Sequence, residues 1–200
     1  FINRVAVLTH KYYAGKVPET SNLKEIDKET LAEIKAFPKR ISDSIERYRF
    51  REAQQKLMEL ARLGNKYLAD EEPWKHYKTN PERTQNIMFI ALQISTALAV
   101  LSEPFLPHTA QKLSNILNFK TLGIELNWKN LPKHETLLPV GHQINKADLL
   151  FTKIDDKQIE QQLQKLKQSK QHNEEIEMEL TPQKEQITFE DFSKLDLRTG

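Results

Sequence analysis

Apolar residues recur at three- and four-residue steps along much of this chain, the signature of helices with one buried face. Phe1-Ile2-Asn3-Arg4-Val5-Ala6-Val7-Leu8 is already in helical stride, so the first helix is expected to begin upstream; it runs to about Tyr13 and stops at Gly15, with Pro18 beyond. Leu31, Ile34, Phe37, Ile41 and Ile45 form a second stripe, with Asp27 as its expected cap and Pro38 expected to kink or break it. Ala53, Leu57, Leu60, Ala61, Gly64, Tyr67 and Leu68 form a third. Gly64 weakens a helix by ~1 kcal/mol relative to Ala, so it is expected to mark close helix packing. Pro73 and Pro81 suit first helical positions, where a missing N–H costs nothing.

The helix predicted over residues 82–102 is apolar on nearly all sides, which suits only the centre of a bundle. Its expected partners are the stripes Leu31/Ile34/Ile41 and Leu57/Leu60/Leu68. A further helix is predicted over about 108–117 after Pro104-Phe105-Leu106-Pro107, then an irregular stretch over 118–150. A polar helix follows over about 155–172, with Ile154, Ile159, Leu163 and Leu166 as a thin stripe. The acidic residues 173–186 read as a flexible linker, and Leu195-Asp196-Leu197-Arg198-Thr199-Gly200 as a strand only begun. The fold class is all-α.

Composition narrows the function classes. Charged residues make up 29% and there are only 5 glycines and no cysteine, which excludes disulfides, thiolate metal sites and a cysteine nucleophile. No apolar run reaches the ~20 residues that span a bilayer. The net charge of +2 is small, but residues 1–80 hold 16 Lys/Arg against 12 Asp/Glu, while residues 156–200 hold 7 against 10. The basic excess lies at the end carrying Glu71-Glu72-Pro73-Trp74-Lys75-His76-Tyr77-Lys78. A tryptophan beside proline at a helix junction suits a stacking platform for an unpaired base, with Lys75 and Lys78 as candidate phosphate contacts. An aromatic at helical spacing equally suits an interhelical core, so the residues alone leave both readings of Trp74 open. Arg47-Tyr48-Arg49-Phe50-Arg51 makes a second basic-aromatic junction. No catalytic constellation is visible. His10 and His108 lie beside apolar faces and read as packing residues; His142 is a lone loop histidine, and the paired acids read as solvated faces.

The pieces Phe1-Ile2-Asn3-Arg4, Lys11-Tyr12-Tyr13-Ala14-Gly15-Lys16-Val17-Pro18, Gly64-Asn65-Lys66-Tyr67 with Pro73-Trp74, Pro104-Phe105-Leu106-Pro107 and Leu149-Leu150-Phe151-Thr152-Lys153-Ile154-Asp155 together resemble the anticodon-binding helical domain of bacterial methionyl-tRNA synthetases. Their order and spacing carry the likeness, over about residues 1–170. Ile187-Thr188-Phe189-Glu190-Asp191-Phe192 resembles the opening of the family's C-terminal OB-fold tRNA-binding module, which needs further strands to close. The resemblance implies a class I helical anticodon-binding domain over 1–172, a linker over 173–186 and an incomplete OB-fold module over 187–200.

It further implies a part of an ATP-dependent methionine–tRNA ligase whose catalytic domain, with ATP, Mg and a zinc site, lies upstream; this stretch has no cofactor or catalytic residue of its own. The implied partners are initiator and elongator methionine tRNA and a second subunit joined through the C-terminal module, in the cytoplasm, with no membrane. Trp74 with Pro73 carries over as an anticodon reader, Arg4 matches a basic position on the first helix, and His76 departs from the family's pattern. Trp128 is expected to pack. The alternative is a free-standing helical RNA-binding or scaffold protein that borrowed this domain.

Overall fold

Each predicted helix of the first 117 residues is present, and the proline positions explain where several of them start. The structure, a computed structural model, describes residues 1–147, 149–151, 154–178 and 186–195. It divides into Phe1–Phe151 and Thr152–Gly200, each described by itself. In the first unit the helices are α1 (Ile2–Tyr13), α2 (Glu25–Glu46), α3 (Phe50–Glu71), α4 (Pro73–His76), α5 (Pro81–Leu101) and α6 (Pro107–Ile116). Pro73, Pro81 and Pro107 each open a helix. α1 ends with Ala14 and Gly15 in the left-handed region (φ 52° and 81°), and the Gly15 N–H closes back on the Thr9 carbonyl at 3.2 Å.

α5 is the axis of the bundle. Ile87, Met88, Ile90, Leu92, Ile94 and Leu101 are fully enclosed, and α1, α2, α3, α4 and α6 all pack against this helix. By length and hydropathy α5 would suit a bilayer, but nearly all of its residues are buried inside the bundle. The expected partner stripes meet it: Ile34, Ile41, Leu57, Leu60 and Leu68 are buried, and Leu31 is partly so. Gly64 permits a close approach of its neighbours. A Cβ there would lie 2.7 Å from the Phe1 ring and 3.0 Å from Ile94 Cγ2.

Two expectations for α2 are corrected. The helix starts before Asp27, at Glu25, so Asp27 is not its cap; it sits in the first turn and accepts the Lys24 N–H at 2.9 Å. Pro38 does not break the helix. It forgoes one backbone bond, a penalty of ~3 kcal/mol, but Ile34, Phe37, Pro38 and Ile41 are all buried, so the core holds the helix on both sides of the ring.

Residues 118–147 form short 3-10 turns at Phe119–Thr121 and Leu131–Lys133 and otherwise lie irregularly over the bundle. The buried Gln93 side chain anchors them: its amide donates to the Leu138 carbonyl at 2.9 Å and accepts the Leu137 and Leu138 N–H groups at 2.7 and 3.0 Å. Among the described residues the only strand-like pairing is one antiparallel bridge, Lys16 with Gln143. Trp128 packs partly buried against the core, as expected. His10 bonds the Asn145 carbonyl at 2.9 Å and His142 bonds the Leu117 carbonyl at 2.8 Å, so both histidines have structural partners.

In the second unit, a helix α7 covers Asp156–Met178. It continues past the expected end near residue 172 into the segment read as a linker, where Glu and Met are good helix formers. Ile159, Leu163 and Leu166 are exposed along it, and Ile154 is exposed just before it. A one-turn helix, α8 (Phe189–Phe192), is capped by Thr188, whose Oγ1 accepts the Asp191 N–H at 3.2 Å. Of the strand expected over 195–200, residues 196–200 lie outside the described residues, as do residues 179–185 of the expected linker.

Candidate nucleic-acid interface

The α3–α4 junction is built to present Trp74. α3 ends at Glu71, and Glu72 then adopts φ 38°, a left-handed conformation that turns the chain sharply. Pro73 follows as a buried first helical residue. Trp74 comes next, 40% exposed, so its indole is not enclosed in the core. The other end of α4 is fastened by the Asn80 and Thr79 N–H groups, which donate to the His76 carbonyl at 2.7 and 3.1 Å.

α1 lies alongside. The Arg4 guanidinium carbon stands 5.9 Å from the Trp74 ring centroid, within cation–π range. Two turns further along, Tyr12 stacks on Tyr77 with centroids 4.0 Å apart and planes at 15°. Lys11 Nζ lies 5.7 Å from the Tyr12 ring. Tyr13 meets Tyr12 edge-on at 6.2 Å; burial, then the neighbouring Tyr77 and Tyr12, push its hydroxyl up to about 12. Arg4, Val7 and Lys11 are exposed on α1, so one face joins cations, an indole and a tyrosine pair.

The two candidate phosphate contacts differ. Lys75 is held by Glu72 at 2.7 Å, whereas Lys78 has no acidic partner among the described residues. An exposed pair of this kind is worth ~0–1 kcal/mol, so Lys75 is recruitable, at the cost of that pair.

Beneath the junction lies a buried ionic cluster. Arg83, at the start of α5, donates to Asp27 through Nη1 and Nη2 (2.5 and 3.0 Å) and to Glu71 through Nε and Nη2 (3.0 and 2.7 Å). The Tyr67 hydroxyl donates to Asp27 at 2.5 Å. Burial alone would raise the Asp27 carboxyl, but the bonds from Arg83 and Tyr67 and the Arg83 charge outweigh it and hold the carboxyl below its usual range. Burial, followed by the bond to Asp27, pushes the Tyr67 hydroxyl well up. Arg83 also ties the far side of α4 in place, since its backbone N–H donates to the Asn80 side chain at 3.0 Å. One arginine therefore links the last residue of α3 to the segment after α4.

A family model describing the anticodon binding domain of methionyl tRNA ligase matches residues 17–171. The chain belongs to that family. The methionine–tRNA ligases of Christiangramia forsetii and Flavobacterium psychrophilum are 56% and 52% identical to it, each across all of this chain and 29% of the relative. The chain thus spans under a third of the length of these relatives. The crystal structure of apo methionyl-tRNA synthetase from Mycobacterium tuberculosis has a TM-score of 0.65 at 18% identity, over 77% of this chain and 31% of that one, a likeness of fold.

Within this anticodon-binding domain Arg4 of α1 meets Trp74, which follows Pro73 on α4; Lys75 and Lys78 are exposed close by in the chain, Lys75 paired with Glu72. Sequence reasoning missed Lys11, Tyr12 and Tyr77 as members of the α1–α4 face, and missed the Asp27–Arg83–Glu71 cluster. The adjacent aromatics Tyr12-Tyr13, inside one of the pieces that carry the resemblance, were the available signal for the first. Among the described residues no group of three or more His, Asp or Glu side chains could hold a metal ion, so the donor sets present do not fit one.

Proposed function

We propose that this chain reads the anticodon of methionine tRNA as the RNA-recognising part of a methionine–tRNA ligase. The observation that carries the reading is the exposed Trp74 indole, fixed on Pro73 and flanked by Arg4. An anticodon base drawn out of its loop loses stacking, and a rigid aromatic face restores ~1–3 kcal/mol of it. Arg4 places positive charge beside that face, where a base edge or phosphate can accept from the guanidinium. Lys78, and Lys75 after leaving Glu72, supply phosphate contacts, and the Tyr12–Tyr77 stack lengthens the platform. Pro73 is the rigid support.

In this reading the ligase joins methionine to initiator and elongator tRNA at the expense of ATP. Its ATP, Mg and zinc are held by residues outside this chain. It acts in the cytoplasm, as a homodimer through its C-terminal module, without a membrane. Residues 1–172 are the helical reader, 173–186 join it to that module, and 187–200 begin the module.

The test is Trp74→Ala in the full-length protein. Charging of methionine tRNA falls, with tRNA binding weakened roughly 5- to 150-fold, while ATP-dependent activation of methionine stays near wild type. Replacing the anticodon base that stacks on Trp74 produces a similar loss in wild type and adds little in the mutant, because both changes remove one interaction. Unchanged charging in a stably folded Trp74→Ala protein rejects the reading. A reading frame with no nucleotide-binding domain ahead of this chain favours the free-standing RNA-binding alternative.

A further inference from the structure

The turn between α2 and α3 is the second basic-aromatic junction, and the α1–α4 face does not use it. Arg47, Tyr48, Arg49, Phe50 and Arg51 are all exposed; Tyr48 is 83% and Phe50 59% accessible. Tyr48 holds φ 58°, a left-handed conformation that costs a bulky residue ~1–3 kcal/mol and tends to persist at functional positions. The turn is nonetheless well fastened: the Tyr48 N–H donates to Ile45 at 2.9 Å and the Arg49 N–H to Ser44 at 2.8 Å. The Tyr48 and Phe50 rings meet edge-on at 6.4 Å. Arg49 reaches Glu52 at 3.6 Å, but Arg47 and Arg51 have no acidic partner among the described residues. Arg62, also exposed and without such a partner, lies three helical turns along the same face of α3 as Arg51. Glu52, Glu59 and Asp70 lie off that line.

We propose that this turn is a second RNA contact, binding the sugar-phosphate backbone of a stem whose loop sits at Trp74; the inference rests on the proposed anticodon reading. Arg47 and Arg51 hold phosphates at the turn and Arg62 holds one between the two ends. The Tyr48 hydroxyl, carried outward by its backbone conformation, bonds a phosphate or ribose hydroxyl. Such contacts position an RNA without reading its sequence. The distance sets the requirement. α3 has 22 residues, so its two ends lie ~30 Å apart at 1.5 Å per residue. A hairpin limited to the anticodon loop and its neighbouring base pairs is too short to bridge them, and a complete tRNA is long enough. The favoured occupant is RNA and not an acidic protein surface, because arginines and exposed aromatics alternate in a fastened turn, and Arg62 continues the cationic line of Arg51 toward the RNA-reading end.

The experiment compares Arg47→Ala/Arg51→Ala with wild type in the full-length protein, using complete methionine tRNA and a short anticodon hairpin across a salt series. Binding of complete tRNA weakens about tenfold and the dependence of log Kd on log salt flattens by about 1 to 2, as expected for two lost phosphate contacts. Hairpin affinity, methionine activation and the melting temperature stay at wild-type values. Tyr48→Asn, which suits the left-handed backbone, weakens only the complete tRNA. Trp74→Ala, run in parallel, weakens both RNAs. If Trp74→Ala leaves both unchanged while the double mutant still weakens tRNA, the anticodon reading fails and the second contact stands. Three results overturn the second contact: unchanged tRNA affinity and salt slope, equal weakening of hairpin and tRNA, or lost methionine activation with unchanged tRNA affinity. The last of these identifies a protein surface as the occupant.

Discussion

Glu72 sets the direction in which the helix carrying Trp74 leaves α3. Its φ of 38° is one that L-residues with a Cβ rarely adopt, whereas glycine enters it freely. Glu72→Gly therefore leaves stability within about 0.5 kcal/mol of wild type or raises it, and Glu72→Val lowers it by about 1–3 kcal/mol; urea unfolding of the two variants checks the order. Gly64 presents the opposite case, a glycine kept for space. Gly64→Ala gains ~1 kcal/mol of helix propensity, but its Cβ must displace the far edge of the Phe1 ring and presses on Ile94 Cγ2, so its net effect is small. Gly64→Leu carries further atoms into the same enclosed space beside Ile94, and overpacking there costs ~1–3 kcal/mol. Thermal melting then falls in the order wild type, about equal to Ala, above Leu. Equal melting of Gly64→Leu and wild type rejects the close-packing argument.

At the scale of elements, the Asp27–Arg83–Glu71 cluster joins α2, α3 and α5 under the short α4. Arg83→Met leaves two carboxylates in a largely dehydrated site and destabilises by about 3–5 kcal/mol, as breaking a buried pair does. The pH dependence follows from the sign of the Asp27 shift. Its folded value is depressed, so its stabilisation is present above the unfolded value of about 3.9 and is lost as pH falls through the lower folded one. Wild type therefore loses more stability between pH 6 and pH 3 than Asp27→Asn, which lacks this carboxylate; chemical unfolding at the two pH values measures the difference.

The helices themselves were legible in the sequence because their apolar stripes and opening prolines are local signals. The cluster was not, because Asp27 lies 40 residues from Tyr67 and 56 from Arg83 and nothing local marks it as a partner of either. Asp27 followed by helix-forming residues reads naturally as a cap. Pro38 misled for a related reason: local chemistry forecasts a break, and only the burial of its α2 neighbours Ile34, Phe37 and Ile41 decides otherwise. At the candidate site, Trp74 and Pro73 were visible as a motif, while the Tyr12–Tyr77 stack spans 65 positions and emerges only when α1 lies beside α4.

At the scale of the whole molecule, the bundle of Phe1–Phe151 separates stability from recognition, because its buried apolar residues converge on α5 and its candidate RNA-binding side chains are exposed. Ile94 is fully enclosed and Trp74 is 40% exposed. Ile94→Ala deletes core volume and costs about 2–5 kcal/mol, lowering the melting temperature of the domain by many degrees. At a temperature where the mutant remains folded, its tRNA affinity stays near wild type, since α1 and α4 keep their geometry. Trp74→Ala does the reverse: melting moves little, and tRNA affinity falls roughly 5- to 150-fold. Arg4→Ala weakens tRNA too, and combined with Trp74→Ala it weakens it by less than the product of the single effects, because the guanidinium and indole face one another at 5.9 Å and serve one bound base. The measurement is a melting curve and a tRNA titration on each of the four proteins. If tRNA affinity tracks melting temperature across them, the exposed face contributes only to folding and the assignment of Trp74 and Arg4 is wrong. If the two quantities move independently, with Ile94→Ala off one axis and Trp74→Ala off the other, reading and folding are carried by different layers of the same bundle.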